Sequence, residues 1–215
     1  MNEVELLNWA RGPGLAYATV LMVFGLTIRV IEILSLGRPK ELAEVRDSGT
    51  RDGWLLILKR SLPEPHHWKF ITASYIFHIG LLVVIFFFIP HTQLFRDVFG
   101  MFWGGWPNYI IDFVTVLSIA ALLYTLVARI TDPTRRILTR NSDYISWLVT
   151  FLPFLTGYMA FHRLGLDYTL MLALHILSVE LLMISLPLSK LTHAVTFTMA
   201  RWYTGSNNGR RGIRS

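Results

Sequence analysis

The sequence predicts an all-α integral membrane protein, a bundle of five transmembrane helices. Of its 215 residues, 53% are hydrophobic and only 16% are charged, whereas about a quarter of the residues of a soluble domain are charged. Several apolar runs reach the length of about 20 residues that a helix needs to cross a bilayer. We place the five membrane segments at about residues 14–36, 70–90, 107–130, 144–162 and 168–197.

The distribution of basic residues predicts the orientation of the bundle. Of the connections between these segments, the second contains Arg96 and the fourth contains Arg163. The first and third connections and the C-terminal segment are much richer in basic residues: Arg38, Lys40, Arg46, Arg51, Lys59, Arg60, Lys69, Arg135, Arg136, Arg140, Arg201, Arg210, Arg211 and Arg214. Because positive charge accumulates on the cytoplasmic side, we expect a multi-pass protein of the inner (cytoplasmic) membrane, with its N-terminus outside and its C-terminus inside.

The domain organisation predicted from these segments is simple. Residues 1–203 form a single transmembrane domain with a cytoplasmic loop at about 37–69, and residues 204–215 form a flexible cytoplasmic tail. Within the loop, residues 53–60 read either as an amphipathic connector or as a docking surface for a partner. The absence of cysteine excludes disulfides and iron–sulfur clusters ligated by this chain. The net charge of +6 lies in loops, which favours the membrane explanation over nucleic acid binding.

Histidine spacing is the main indication of chemistry. His175 and His193 are 18 residues apart, which is about five helical turns and about 27 Å, so one helix would present both rings on one face near opposite membrane surfaces. Pro187 is expected to kink that helix. His78 and His91 repeat the arrangement on the antiparallel second segment. Depth pairs His78 with His193 inside and His91 with His175 outside, which predicts two haems held by facing helices.

Each of these residues also has a plainer interpretation. A histidine inside a bundle often serves only to hydrogen-bond a neighbouring helix, and His162 competes with His91 as the outer partner of His175. Arg29 either pairs with Glu32 three residues later or neutralises a propionate of the inner haem.

Three further polar residues also have two possible interpretations each. Lys190 either snorkels to the interface or contacts a propionate. Asp112 and Glu180 are placed either for proton handling or as buried, hydrogen-bonded carboxyl groups.

Two segments carry a family resemblance that covers most of the chain. His175 followed by Pro187-Leu-Ser-Lys-Leu-Thr-His193 resembles the last helix of the respiratory nitrate reductase gamma subunit, and Phe77-His78-Ile-Gly-Leu81 resembles the start of that family's second helix. The resemblance implies a membrane anchor with two b haems that oxidises quinol near the outer surface and passes electrons inward to an iron–sulfur subunit. It assigns His78 and His193 to the inner haem and His175 to the outer haem.

One position departs from the family pattern. The family has its second outer ligand ten residues after the first, where this chain has Phe88; His91 is the nearest replacement. In this respect the chain looks more like the related cytochrome b subunits of sulfur-metabolising complexes, whose cytoplasmic partner resembles the iron–sulfur subunit of heterodisulfide reductase.

We therefore predict a cytochrome b subunit of a multi-subunit oxidoreductase, which exchanges electrons between the quinone pool and a cytoplasmic iron–sulfur partner. The candidate residues for a quinone site near the outer haem are His162, Arg163, Arg96 and Asp112. The alternative is a haem-free membrane anchor, or a transporter whose intramembrane histidines relay protons.

Overall fold

The computed structural model describes residues 2–37, 50–59 and 68–212 of the chain. The structure is 87% helical, and no strand occurs among those residues. Five of the helices in this part of the chain are long and apolar enough to cross a membrane. The all-α class and the five candidate spans are therefore confirmed, and the orientation of the termini stays a prediction.

The spans are joined by shorter helices. The first span, Glu3–Ser35, contains α1 (Glu3–Trp9), a π-helical segment (Ala10–Gly14) and α2 (Leu15–Ser35). The other four spans are α4 (Trp68–Phe87), α6 (Asn108–Thr131), α8 (Asn141–Phe161) and α9 (Tyr168–Leu188). The shorter helices are α3 (Thr50–Lys59), α5 (Ile89–Phe99), α7 (Pro133–Leu138), a 3₁₀ turn (Lys190–Thr192) and α10 (His193–Arg210). Of the predicted loop 37–69, the structure describes residue 37, helix α3 and residues 68–69, and the rest lies outside the described residues.

The chain divides into two compact units. The first unit comprises Met1–Leu15 and His66–Leu182, and the second comprises Ala16–Pro65 and Met183–Ser215. In the first unit the core joins α4, α6 and α8 through the buried residues Ala73, Phe77, Ala121, Leu122 and Phe154. A side chain on Gly80 of α4 would collide with the Ser118 hydroxyl of α6. Small residues of this kind let membrane helices approach closely.

A break at Phe88 separates α4 from α5. Phe88 is extended, with φ −76° and ψ 127°, and Pro90 lies in the first turn of α5, where its missing N–H costs no helical bond. The loop after α5 then returns to the end of α4, where the Trp106 N–H donates to the Phe87 carbonyl at 2.8 Å and the Trp103 indole donates to the Phe86 carbonyl. These donors satisfy carbonyls that the helix end leaves without partners. His91 consequently lies on α5, not at the end of α4.

A second break follows Leu188, in the second unit. Ser189 is extended, with φ −129° and ψ −175°, and a new helix begins at His193. The Thr192 hydroxyl donates to the Leu186 carbonyl at 2.9 Å, and Arg29 Nε donates to the Pro187 carbonyl at 3.1 Å. The freed carbonyls of α9 thus have donors that allow the helix to end.

This break corrects the prediction of one kinked helix over residues 168–197. The proline does lie near the disturbance, but the helix ends there instead of bending and continuing. His175 and His193 therefore belong to different helices, α9 and α10. The spacing of 18 residues no longer places both rings on one helical face, because helical periodicity holds only within one helix.

Of the predicted flexible tail at 204–215, residues 204–210 continue α10. Gly205 is buried, and a Cβ at that position would lie 2.6 Å from the Asp52 carbonyl oxygen and 2.7 Å from Leu56 Cβ of α3. Gly209 meets the Asp52 carboxylate in the same way. Glycines four residues apart share a helix face, so α10 packs closely on α3 through this face.

We expect Gly205→Leu to separate α10 from α3. Overpacking of this kind costs about 1–3 kcal/mol, so trypsin should cleave after Arg201 roughly 5- to 150-fold faster if cleavage follows the opened population. The measurement is a time course of cleavage in detergent, analysed by mass spectrometry. The matched control is Gly104→Leu, because nothing lies within 4 Å of a Cβ at Gly104. Equal cleavage rates in both variants would contradict the packing described.

Candidate functional site

The break at Phe88 directs His91 back over the end of α4. The His91 Nδ1 lies 2.8 Å from the Val84 carbonyl oxygen, and because a carbonyl only accepts, Nδ1 carries the hydrogen. The Phe88 ring stands edge-on to His91, with centroids 5.2 Å apart and an interplanar angle of 88°. Burial lowers the pKa of His91, and the hydrogen bond to Val84 partly opposes this effect. The ring is therefore neutral at pH 7, which is the form that binds metals.

His175 is held between α9 and α8. Its ring lies close to the backbone of Pro153 on α8. Its Nδ1 also lies 3.4 Å from the Thr156 hydroxyl. A Cβ on Gly157 would lie 2.9 Å from His175 Cε1, so the glycine provides the space for the ring. Pro153 and Gly157 are not among the candidate site residues predicted from the sequence. Their position in the fourth predicted membrane segment was the only feature of the sequence that could have suggested them.

The rings of His91 and His175 are neighbours in the first unit. Their centroids are 6.2 Å apart and their planes differ by 16°. Metal–imidazole bonds are about 2.0 Å long, so two rings that bind one metal ion from opposite sides have centroids roughly 6–6.5 Å apart. The measured separation agrees with that distance. Two imidazoles at this separation, one from α5 and one from α9, are a donor set that could hold a haem iron.

The other two predicted ligands show the same hydrogen-bond pattern. His78 Nδ1 lies 2.7 Å from the Ser74 carbonyl, and His193 Nδ1 lies 2.8 Å from the Lys190 carbonyl. Histidines that bind metals typically donate their other N–H to a carbonyl or a carboxylate, which fixes the ring and its tautomer. His78 lies in the first unit and His193 in the second, so their pairing stays a prediction.

His162 contacts a carboxylate through Nε2, whereas the histidines described above contact backbone carbonyls or a hydroxyl through Nδ1. Its Nε2 lies 2.8 Å from Oδ1 of Asp112 on α6, and the two side chains are 31% and 34% exposed. The Tyr158 ring covers His162 at 4.4 Å between centroids. Two of the four residues predicted for the quinone site, His162 and Asp112, therefore form one polar pair. Of the two histidines predicted as possible partners of His175, His91 is the one whose ring lies beside it.

The remaining candidates have other partners. Arg96 lies 3.3 Å from an Asp97 carboxylate oxygen, and the Arg163 guanidinium is 5.7 Å from the centre of the Tyr168 ring. Arg163 follows α8 with a left-handed φ of 54°. In the second unit Arg29 pairs with Glu32 at 2.8 Å, which is one of its two predicted interactions.

Two residues complete the set of sequence candidates. Lys190 lies in the 3₁₀ turn, where its backbone carbonyl accepts the bond from His193. Glu180, by contrast with Asp112, is buried without a hydrogen-bond partner for its Oε1 among the described residues.

Comparison with known proteins gives one informative similarity. The chain is 36% identical over 136 residues to a protein of Nitratidesulfovibrio vulgaris (strain Hildenborough) whose name states no activity. The matched region is 63% of this chain and 60% of that relative, so the chain spans about three fifths of the relative's length. No protein-family model matches the chain, and no solved structure matches it. The resemblance to nitrate reductase gamma subunits therefore stays a prediction.

We expect a double-mutant cycle to detect the His162–Asp112 interaction. His162→Ala and Asp112→Ala should each lower thermal stability, and the double variant should lose less than the sum. The coupling free energy should be about 1 kcal/mol, because the pair is hydrogen-bonded but only partly buried. The measurement is unfolding followed by circular dichroism in detergent, with His162→Ala and Asp97→Ala as the control cycle. Additive effects in both cycles would mean that the contact contributes nothing.

Proposed function

We propose that the protein is a membrane cytochrome b subunit, which exchanges electrons between the quinone pool and a cytoplasmic iron–sulfur partner through two b haems. The observation that carries the proposal is the separation of the His91 and His175 rings, 6.2 Å between centroids. The resemblance of the histidine segments to the nitrate reductase gamma family supports the same function. The proposed location is the inner membrane, with the loops of high positive charge on the cytoplasmic side.

The outer site would be held by residues from two helices. His91 and His175 would supply nitrogen ligands. The hydrogen bond of His91 to the Val84 carbonyl would fix the orientation of that ring, and Gly157 leaves the space that the His175 ring occupies. A haem bound there would supply reversible one-electron chemistry at a potential that depends on its ligands and burial. Phe88, edge-on to His91, helps to exclude water from this side of the ring.

The inner site would be held by His78 and His193. Both rings donate Nδ1–H to a backbone carbonyl, as His91 does. Arg29 and Lys190 are the candidate propionate contacts, although Arg29 already binds Glu32. In the proposed orientation electrons pass between the outer and inner sites toward an iron–sulfur protein, of the kind that accompanies heterodisulfide-reductase-like complexes.

The His162–Asp112 pair suits the proton chemistry of a quinol. Oxidation of a quinol releases two electrons and two protons, so a base must stand near its hydroxyl groups. With Asp112 ionised, His162 donates Nε2–H to the carboxylate, and its Nδ1 is left to accept a hydroxyl proton. The carboxylate then stabilises the imidazolium that forms. Arg163 and Arg96 are further candidates for binding the quinone carbonyls.

Spectroscopy of histidine variants tests this proposal. We expect protein purified after haem-sufficient expression to show b-type bands in reduced-minus-oxidised spectra. His91→Ala and His175→Ala should each lose about half of the haem, because each leaves the same site with one axial ligand. His162→Ala is the control: it should keep its haem content and oxidise quinol about 10²- to 10⁴-fold more slowly, as expected for loss of a general base. The absence of b-type bands would refute the proposal and favour a haem-free anchor or proton-relaying transporter.

A glycine variant tests the support of His175 without changing a ligand. A Cβ on Gly157 would lie 2.9 Å from His175 Cε1 and 3.0 Å from its Nδ1, so Gly157→Val should displace the ring. We expect the same loss of haem as in His175→Ala, with an unchanged circular dichroism spectrum. Gly104→Val, at a position with open space, should bind haem normally. Full haem content in Gly157→Val would show that the ring does not occupy the described position when haem is bound.

A further inference from the structure

Glu180 is a buried carboxyl group inside a membrane span. It lies on α9 and is 5% exposed. The residue is 12 positions after Tyr168, the start of the 21-residue helix, which places it about 18 Å along a helix of about 31 Å. Its Oε1 is buried and has no hydrogen-bond partner among the described residues. Glu180 is also five residues from His175, about 140° around the helix, so it is separate from the histidine pair.

The first span is shaped to receive this carboxyl group. A Cβ on Gly14 would lie 2.8 Å from Glu180 Oε1 and 3.0 Å from Oε2, so glycine is the residue that leaves room for the carboxyl. Gly14 ends the π-helical segment Ala10–Gly14, which contains Pro13. A π-helical turn inside an α-helix is rare and often marks a functional site. Two features of different origin therefore meet at one place: a carboxyl oxygen without a partner in the described part of the chain and a widened helix turn.

The charge state of Glu180 follows from its surroundings. An ionised carboxylate is very costly in an apolar environment unless it is paired or hydrogen-bonded. Arg11, in the π-helical segment, is exposed, and no described residue forms an ion pair with Glu180. Glu5, nine residues before Gly14 on the same span, hydrogen-bonds Asn2. The neutral acid is the form that this site accommodates.

We infer that Glu180 is an intramembrane proton-binding site, a carboxylic acid that carries an exchangeable proton near the middle of the bilayer against Gly14. The widened turn gives the carboxyl group a place to pack in its neutral form without a protein donor or cation. A group of this kind can take up and release a proton when the charge elsewhere in the membrane domain changes. This inference does not depend on a bound haem.

Infrared difference spectroscopy of the full-length chain in lipid nanodiscs tests the inference. We expect the spectrum of the native protein minus that of Glu180→Gln at pH 7 to contain the carbonyl stretch of a protonated carboxylic acid. The band should move to lower frequency in D₂O, because the proton exchanges. A carboxylate band in its place, or an acid band that does not move in D₂O, would overturn the inference.

Two further variants make the result specific. Gly14→Ala keeps the acid but forces a methyl group against its oxygens, so the acid band should persist with a shifted frequency. Glu32→Gln removes an ion-paired, exposed carboxylate, and its difference spectrum should contain a carboxylate band only. If circular dichroism shows that Glu180→Gln does not fold, the acid band of Gly14→Ala is compared with that of the native protein instead. An acid band at the same frequency in both proteins would then contradict the proposed site. Because no haem band enters this measurement, its failure and failure of the cytochrome proposal are distinguishable.

Discussion

The need to satisfy backbone carbonyls where membrane helices end constrains this structure more than any other interaction. An unpaired carbonyl in an apolar medium costs several kcal/mol, so a helix can stop within or near a bilayer only where donors are available. After Phe87 the donors are the Trp103 indole and the Trp106 N–H. After Leu188 they are the Thr192 hydroxyl and the Arg29 guanidinium. Both donor sets come from outside the helix that ends.

The break at Phe88 also explains how the chain can place a histidine beside His175 despite its departure from the family pattern. In a continuous helix, residues 88 and 91 would point in directions about 60° apart, and moving a ligand by three positions would misplace it. Here the chain changes direction between them, and His91 bonds the carbonyl of Val84 in the last turn of α4. Phe88 packs against the His91 ring and does not occupy the position where the proposal places the histidine ligand.

Many polar groups of the membrane helices have a partner in the structure, whereas two buried atoms on these helices, Glu180 Oε1 and Arg129 Nε, have no hydrogen-bond partner among the described residues. Thr115, Ser118 and Thr125 return their hydroxyl hydrogens to carbonyls of their own helix, and Asp112 has His162. A buried polar group without a partner calls for a physical explanation, and for Glu180 a neutral acid packed on a widened helix turn supplies it.

Hydropathy and length alone determined the fold class and the five spans, because burial in lipid depends on composition over about 20 residues and not on neighbours. The sequence also singled out the candidate histidines and offered the Arg29–Glu32 pair as one of two interactions of Arg29, since these features are local in type or spacing. Only the tertiary structure decided where the helices end, that residues 204–210 form a packed helix, and that His91 lies beside His175. Pro187 predicts a disturbance, but whether a helix bends or stops depends on donors such as Arg29, which is 158 residues away in the chain. Contacts over such distances are not encoded in local sequence pattern.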